Sequence, residues 1–236
     1  MRCGVVVFPG SNCDHDVYHV LKHVLDQEVT FLWHGAADLK GCELVVLPGG
    51  FSYGDYLRAG AMAAVSPIMQ EIRRHADQGG LVLGICNGFQ MLLESGLLPG
   101  AMRRNRGLRF ECRDVYLRVE RERTPFTAGY TQGQVLKMPI AHAEGNFVDS
   151  EESLDALEAQ DRVVFRYVDA AGKTSDSSNI NGSQRSIAGI CSAEGNVLGM
   201  MPHPERCSEE VLGKTDGRAL FAAAVGAVQD ELGVAS

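Results

Sequence analysis

The chain has 236 residues, which predicts one or two domains. Hydrophobic residues make up 45% of the chain and charged residues 22%, a globular composition that excludes a disordered chain. The 22 basic and 30 acidic residues give a net charge of -8, which disfavours binding to nucleic-acid phosphates or anionic membranes. We therefore expect neither a nucleic-acid nor a membrane partner.

Seven cysteines are scattered along the chain without a Cys-x-x-Cys pair. This odd and dispersed set indicates neither a disulfide framework nor a cysteine-rich zinc site. The first ten residues contain one basic residue and a short apolar run, which is typical of a first strand and not of a secretory signal. We expect a cytoplasmic protein that holds no metal.

The first half of the chain alternates between buried strands and helices. Ser11 and Asn12 offer capping oxygens for a first helix, whose apolar face begins at Val17. Ser66-Pro67 opens a second helix that runs to about Gln78, and Phe51–Gly60 is expected to be an irregular loop. The short connections predict a parallel α/β sheet. Its strands are expected at Cys3–Phe8, Val29–Trp33, Leu44–Leu47 and Leu81–Ile85.

The second half is richer in strands and poorer in predicted helices. A turn at Glu194–Asn196 indicates a hairpin, and a final helix follows Thr215-Asp216 with an apolar face that extends to Leu232. We predict one domain over residues 1–236, with added antiparallel strands beside a mostly parallel sheet. These strands are expected at Val115–Val119, Val135–Ile140, Val163–Val168, Ile187–Cys191 and Val197–Met201.

The segment Gly84–Gln90 carries the clearest chemical signal. Cys86 follows a buried strand, opens a helix and is bracketed by Gly84 and Gly88. This pattern matches a nucleophile elbow with cysteine in place of serine. The helix N-terminus favours a thiolate at that position. We therefore predict that Cys86 is a nucleophile.

A cysteine nucleophile needs a base and a group that orients the base. His203 and Glu205 lie two residues apart after a strand, so on extended backbone they would point the same way. His142 and Glu144 have the same spacing after another strand, and spacing alone does not choose between the pairs. A metal cluster of His203, Glu205 and Cys207 lacks a distant fourth ligand and is poorly supported.

The loop after the third strand, Leu47–Phe51, ends in two glycines. In an open α/β sheet, ligands bind beyond the carboxyl ends of the strands, where this loop would meet the Cys86 elbow. Backbone amides of the loop and of Asn87 are therefore candidates to bind an oxyanion. The glycines form neither a dinucleotide-binding motif nor a phosphate loop, so nucleotide binding by this chain lacks support.

Together these motifs resemble the class I (triad) glutamine amidotransferases. More narrowly, the chain is similar to the glutaminase subunits of phosphoribosylformylglycinamidine synthase, an enzyme of purine biosynthesis. One minor departure is Ala143, where that family has glycine. The segments that carry the resemblance are Phe8–Asp14, Pro48–Asp55, Gly84–Gln90, Arg104-Asn105, Phe110–Arg113, Ala141–Phe147 and Met201–Glu205.

The resemblance implies a flavodoxin-like fold and resolves the rival pairs in favour of a Cys86, His203 and Glu205 triad. It implies that the amides of Gly50 and Asn87 hold the oxyanion. The remaining residues would bind glutamine or lie near the site: Phe51, Gly88 and Gln90 at the glutamine, and His142 and Glu144 near the site or facing a partner.

The resemblance also implies L-glutamine as substrate and ammonia as the product passed to a partner. That partner would be a large synthetase subunit, which converts formylglycinamide ribonucleotide to formylglycinamidine ribonucleotide with ATP and Mg²⁺, joined by a small bridging subunit. No cofactor is expected in this chain. Two alternatives remain open: another cysteine-dependent α/β hydrolase, and a non-catalytic scaffold subunit.

Overall fold

A computed structural model describes the backbone of residues 1–231 and the side chains of residues 1–228. Nine strands form the main sheet, in the order β2-β1-β3-β4-β11-β10-β9-β6-β7, and β5 pairs with β8 in a small separate sheet. The strands are β1 (Arg2–Val7), β2 (Glu28–Trp33), β3 (Leu44–Leu47), β4 (Leu81–Ile85), β5 (Ala101–Arg103), β6 (Glu111–Val119), β7 (Val135–His142), β8 (Asn146–Val148), β9 (Val163–Val168), β10 (Ile187–Cys191) and β11 (Val197–Met200).

The sheet has a parallel half and an antiparallel half. Strands β2, β1, β3, β4 and β11 are mutually parallel and lie in the order typical of flavodoxin-like folds. The remaining four strands extend the sheet through antiparallel pairings. Every residue of β3 and β4 is buried, because helices cover both faces of a parallel sheet. The predicted α/β class and the hairpin between β10 and β11 are confirmed.

Residues 1–231 contain six α-helices. The first helix continues into a π-helical turn over Val20–Val24. No helix within residues 1–231 combines the length and apolar character that a bilayer span requires. The helices are α1 (Asp14–His19), α2 (Ala61–Ala64), α3 (Pro67–Asp77), α4 (Asn87–Glu94), α5 (Glu151–Ala159) and α6 (Arg218–Glu231).

Helix α5 and the small sheet of β5 and β8 were not predicted. Only Leu154 and Leu157 of α5 are buried, so its apolar stripe is too short to produce a clear periodicity. The helix begins instead at a polar cap, where the Ser150 hydroxyl accepts a hydrogen bond from the Ser153 amide at 3.2 Å. The strands β5 and β8 have three residues each, which is too short for an alternation of apolar and polar residues to be recognised.

The predicted cap of α1 is wrong. Ser11 Oγ accepts from the Phe8 amide at 3.1 Å, and Asn12 Oδ1 accepts from the Cys13 thiol, so neither side chain caps the helix. The Phe51–Gly60 loop, expected to be irregular, contains a short 3₁₀ turn over Ser52–Asp55. Leu232, placed on the face of the last helix, lies outside the described residues. The single domain over residues 1–236 stays a prediction.

Candidate active site

The Cys86 elbow has the geometry that the sequence predicts. Cys86 connects β4 to α4 with φ 51° and ψ -104°, a conformation that residues other than glycine rarely adopt. A Cβ atom at Gly88 would lie 1.9 Å from the carbonyl oxygen of Leu47, and one at Gly84 would lie 2.5 Å from Leu92 Cδ1. Both glycines are therefore needed for α4 to pack closely against β3 and β4.

His203 and Glu205 form a buried pair. His203 Nδ1 donates to Glu205 Oε1 at 2.6 Å, and the two residues are only 1% and 2% exposed. The amide of His203 donates to the Pro139 carbonyl at 2.8 Å, which fixes the segment against β7. The extended backbone expected here is wrong, because β11 ends at Met200 and Glu205 lies in a 3₁₀ helix over Pro204–Cys207. The turn, not a strand, brings the two side chains together.

Charge at this pair favours the imidazolium. Burial lowers the pKa of His203, but the Glu205 carboxylate and the neighbouring thiols outweigh it and raise that pKa well above its usual value. Cys86 is one of these thiols, so it lies close to His203. His203 Nε2, the nitrogen not used by Glu205, is buried and has no hydrogen-bond partner among the described residues. This nitrogen is therefore free to exchange a proton with Cys86 or a substrate.

The Cys86 sulfur is buried but has polar neighbours. Cys86 is 4% exposed, and its thiol donates to the Ala141 carbonyl at 3.7 Å. Ala141 belongs to β7, so the antiparallel half of the sheet closes over the elbow formed by the parallel half. The sulfur thus lies at the junction of the two halves, between the imidazole of His203 and a backbone carbonyl.

Cys13 is a site residue that the sequence analysis did not identify. Its sulfur, a His203 ring nitrogen and a Glu205 oxygen all lie within 4.8 Å of one another. Arg206 Nη2 donates to Cys13 Sγ at 3.0 Å. Ligands of α/β sheets bind beyond the carboxyl ends of the strands. Because Cys13 follows β1, its position in the sequence could have identified it as a site residue.

Cysteine, histidine and glutamate are ligand types that zinc uses. We assign no metal to this cluster, because the guanidinium of Arg206 already supplies a cation at the Cys13 sulfur. The sequence analysis considered Cys207 as a metal ligand together with His203 and Glu205. The Cys207 thiol donates instead to the backbone carbonyls of His203 and Pro204 at 3.6 and 3.5 Å. Its sulfur thus contacts the backbone of the turn that carries Glu205.

The loop after β3 lies beside the elbow. Gly50 has φ 148°, and a Cβ atom there would lie 2.8 Å from the Ser11 Cα atom, so only glycine fits. The amide of Phe51 donates to the Gly10 carbonyl at 2.9 Å and is thus engaged within the protein. The Phe51 ring is 43% exposed and lies 6.3 Å from the ring of Phe110. Phe51 therefore offers a ligand its ring and not its amide.

Asn87 and Gln90 organise the first turn of α4. Asn87 Oδ1 accepts from the Ser52 amide at 3.0 Å, and Asn87 Nδ2 donates to Gln90 Oε1 at 2.9 Å. Gln90 Nε2 donates in turn to the Glu144 carbonyl at 2.6 Å. The side chains of α4 thereby hold two loops, at Ser52 and at Glu144, against the elbow. The amide of Asn87 has no partner inside the helix, because α4 begins there.

The rival His142–Glu144 pair is not a base and its orienting acid. His142 Nδ1 donates to Asn105 Oδ1 at 3.1 Å, and the same oxygen accepts from the Gly145 amide at 3.0 Å. Burial, together with the nearby His203, lowers the pKa of His142 to about 4. His142 is therefore a neutral imidazole, held by Asn105 and placed near the triad.

Asp55 is a second residue that the sequence analysis did not identify. Asn87 Nδ2 donates to Asp55 Oδ1 at 3.3 Å. Burial and the Glu144 carboxylate raise the pKa of Asp55 to about 6, although the Asn87 hydrogen bond acts in the other direction. Two carboxyl groups thus lie near the first turn of α4, where a positively charged amino group would be stabilised.

Comparisons with known proteins agree with this geometry. Residues 1–219 match the family model of the CobB/CobQ-like glutamine amidotransferase domain. Phosphoribosylformylglycinamidine synthase subunit PurQ of Koribacter versatilis is 57% identical over 228 residues, which cover 97% of this chain and 99% of that protein. The same subunit of Chlorobium luteolum is 58% identical over 219 residues, which cover 93% and 95%.

A solved structure is similar over nearly the whole chain. The structure of PurLQS from Thermotoga maritima contains a chain that is 43% identical, with a TM-score of 0.85 and coverage of 96% of this chain and 98% of that chain. Fold and site together define a class I glutamine amidotransferase. The chain belongs to the family of PurQ subunits of phosphoribosylformylglycinamidine synthase.

Proposed function

We propose that the chain hydrolyses L-glutamine to glutamate and ammonia through Cys86, His203 and Glu205. One observation carries the proposal: a cysteine on a strained strand-to-helix turn faces an imidazole whose other nitrogen donates to a buried carboxylate at 2.6 Å. A nucleophile, a base and an orienting acid in contact are the parts that covalent acyl transfer requires. PurQ relatives at 57% and 58% identity support the same assignment.

The first step is attack of the Cys86 sulfur on the carboxamide carbon of glutamine. The thiol proton passes to Nε2 of His203, and the raised pKa of His203 favours the resulting imidazolium. Glu205 holds the Nδ1 hydrogen, so Nε2 points to the reacting atoms. The carbonyl oxygen becomes an oxyanion in the tetrahedral intermediate.

In the proposed mechanism, two backbone amides hold that oxyanion. We assign the roles to Gly50, at the end of the β3 loop, and to Asn87, the first residue of α4. Gly88 lets α4 approach the end of β3 closely, because a Cβ atom there would lie 1.9 Å from the Leu47 carbonyl oxygen. Gln90 and the ring of Phe51 then line the path of the glutamine side chain. The carboxyl groups of Asp55 and Glu144 face the substrate's ammonium group.

Collapse of the intermediate breaks the carbon–nitrogen bond. His203 Nε2 gives its proton to the leaving nitrogen, so ammonia departs and a glutamyl thioester remains on Cys86. Water then attacks the thioester carbon and gives its proton to His203. The Cys86 thiol is regenerated as glutamate leaves, and the cycle needs no metal or organic cofactor in this chain.

Ammonia released into neutral water becomes ammonium and loses its nucleophilicity. We therefore propose that the chain docks on a large synthetase subunit, which uses ATP and Mg²⁺ to convert formylglycinamide ribonucleotide to formylglycinamidine ribonucleotide in purine biosynthesis. A small bridging subunit would complete the assembly. The likeness to a chain of the PurLQS structure from Thermotoga maritima supports a complex of this kind. A cytoplasmic location belongs to the same proposal, and the seven free cysteines support it.

The test is glutamine hydrolysis by the wild type and by Cys86→Ala, each with and without the synthetase. We expect slow hydrolysis by the isolated wild type, faster hydrolysis with the synthetase, and a loss of at least about 10⁴-fold in Cys86→Ala. Cys112→Ser, which changes an exposed thiol on β6, is the matched control and should keep full activity. Ammonia release by Cys86→Ala at the wild-type rate would refute the mechanism. Equal turnover with and without the synthetase would refute the coupling.

A further inference from the structure

An arginine-rich surface lies next to the candidate active site. We call it the rim and define it as Tyr56–Arg58 together with Arg103–Phe110. Five arginines and the single carboxylate of Glu111 lie between Arg103 and Arg113, although the whole chain has a net charge of -8. Within the described residues, Arg103, Arg104 and Arg109 are exposed and have no carboxylate at ion-pair distance.

The rim is also apolar. Tyr56, Leu57 and Leu108 are 74%, 87% and 67% exposed, and the half-exposed ring of Phe110 packs near Phe51. Arginine and aromatic side chains together are the composition enriched at the centres of protein–protein interfaces. A free phosphate or a nucleic acid would use the arginines but would leave the leucines in water. The composition therefore favours a protein as the occupant.

Residues of the rim line a cavity of about 520 Å³. Arg58 and Arg104 belong to its lining, and so does Glu144, a neighbour of the candidate active site. The carbonyl of Glu144 is the group that accepts from Gln90 Nε2 at 2.6 Å. A protein seated on the rim would therefore cover a cavity whose lining residue Glu144 contacts the first turn of α4.

Hydrogen bonds of one buried side chain, Asn105, connect the rim to the candidate active site. Asn105 is 1% exposed, and its amide group bonds the carbonyl of Arg109 at 2.9 Å, the carbonyl of His142 at 2.8 Å and the His142 ring at 3.1 Å. His142 is adjacent to Ala141, whose carbonyl accepts from the Cys86 thiol. A displacement of the rim is thus transmitted to the carbonyl that contacts the candidate nucleophile.

We propose that the rim is the surface on which the synthetase docks, and that it receives an acidic and apolar patch of that partner. Charge complementarity supports the assignment, because an acidic partner surface would be repelled by the rest of this chain and attracted to the rim. Asn105 carries the effect of docking to the Cys86 site. The proposal rests on the proposed function, which supplies the synthetase as partner.

The experiment compares charge reversals at the two ends of β6. Arg104→Glu and the double variant Arg103→Glu/Arg104→Glu change the rim. Arg123→Glu is the matched control, because its side chain is 92% exposed and follows the opposite end of β6, a strand of 9 residues that is about 30 Å long. Affinity for the purified synthetase is measured at several salt concentrations, together with glutamine turnover by each isolated chain and in the complex.

We expect Arg104→Glu to weaken synthetase binding about tenfold and the double variant about a hundredfold, with a smaller salt dependence. Arg123→Glu should bind within about twofold of the wild type. Isolated-chain turnover should stay unchanged in all three variants, which also shows that they fold. Wild-type affinity in the double variant would overturn the proposal, as would tighter binding of the wild type to single-stranded RNA than to the synthetase. A wild type that releases no ammonia even with the synthetase would overturn the proposed function instead.

Discussion

Two thiols, of Cys13 and Cys86, lie near the imidazole of His203, and their surroundings differ. Cys86 lies on the strained elbow, where the first amides of α4 are open to a substrate oxygen. Cys13 accepts a hydrogen bond from Arg206, which also pairs with Asp16 at 3.6 Å. Cys13 is therefore held by a cation of the protein, whereas the hydrogen bond found for the Cys86 sulfur among the described residues goes to the Ala141 carbonyl. We infer that Cys13 positions His203 and that Cys86 reacts.

Glu205→Gln tests the charge that acts on His203. The amide keeps the shape of the carboxylate but removes the largest charge that raises the pKa of His203. Burial is then opposed by the neighbouring thiols only, and that pKa falls. The imidazolium that protonates the departing ammonia is then lost at a lower pH. The alkaline limb of the pH profile of kcat should move to lower pH, with a loss of about 10³-fold. Glu210→Gln, in an exposed turn, is the control; a Glu205→Gln profile that overlays the wild type would contradict the assignment.

At the scale of elements, the strand–turn–helix unit of β4 and α4 is the feature on which the site is built. Gly88→Ala would place a methyl group 1.9 Å from the Leu47 carbonyl oxygen. Because a backbone atom cannot move aside cheaply, we expect a loss of about 3 kcal/mol in the free energy of unfolding. Turnover should fall as well, since α4 carries Asn87 and Gln90.

Urea denaturation of Gly88→Ala and of Gly107→Ala provides the measurement. A Cβ atom at Gly107 meets no atom within 4 Å, so that variant should unfold near the wild-type midpoint. Equal midpoints for the two variants would show that α4 does not need the close approach. Such a result would remove the structural reason for the Gly84 and Gly88 bracket around Cys86.

The sequence was informative where a local pattern encodes the element. The runs Leu44–Leu47 and Leu81–Ile85 have the predicted bounds, because fully buried parallel strands are continuous apolar runs. The Cys86 elbow was predicted from Gly84 and Gly88, which bracket it in the sequence. Cys13 and Asn105 were not found, because their partners lie 193 and 37 residues away in the chain and only the tertiary fold brings them together.

At the scale of the whole molecule, the site belongs to neither half of the sheet alone. The parallel half supplies the elbow and the Gly50 loop, whereas β7 of the antiparallel half supplies the Ala141 carbonyl and His142. The His203 segment joins them through its bond to the Pro139 carbonyl. The longer segment of the rim ends β5 at Arg103 and forms the connection from β5 to β6. Partner docking at that connection therefore acts on the half of the sheet that closes the site.

The central claim is that glutamine is attacked by the Cys86 sulfur. The most direct measurement is intact and peptide mass spectrometry of the enzyme quenched in acid during turnover of L-glutamine. The account predicts a glutamyl adduct on the peptide that contains Cys86, with unmodified Cys13 in the same sample. Ammonia release without any adduct, or an adduct on Cys13, would contradict it.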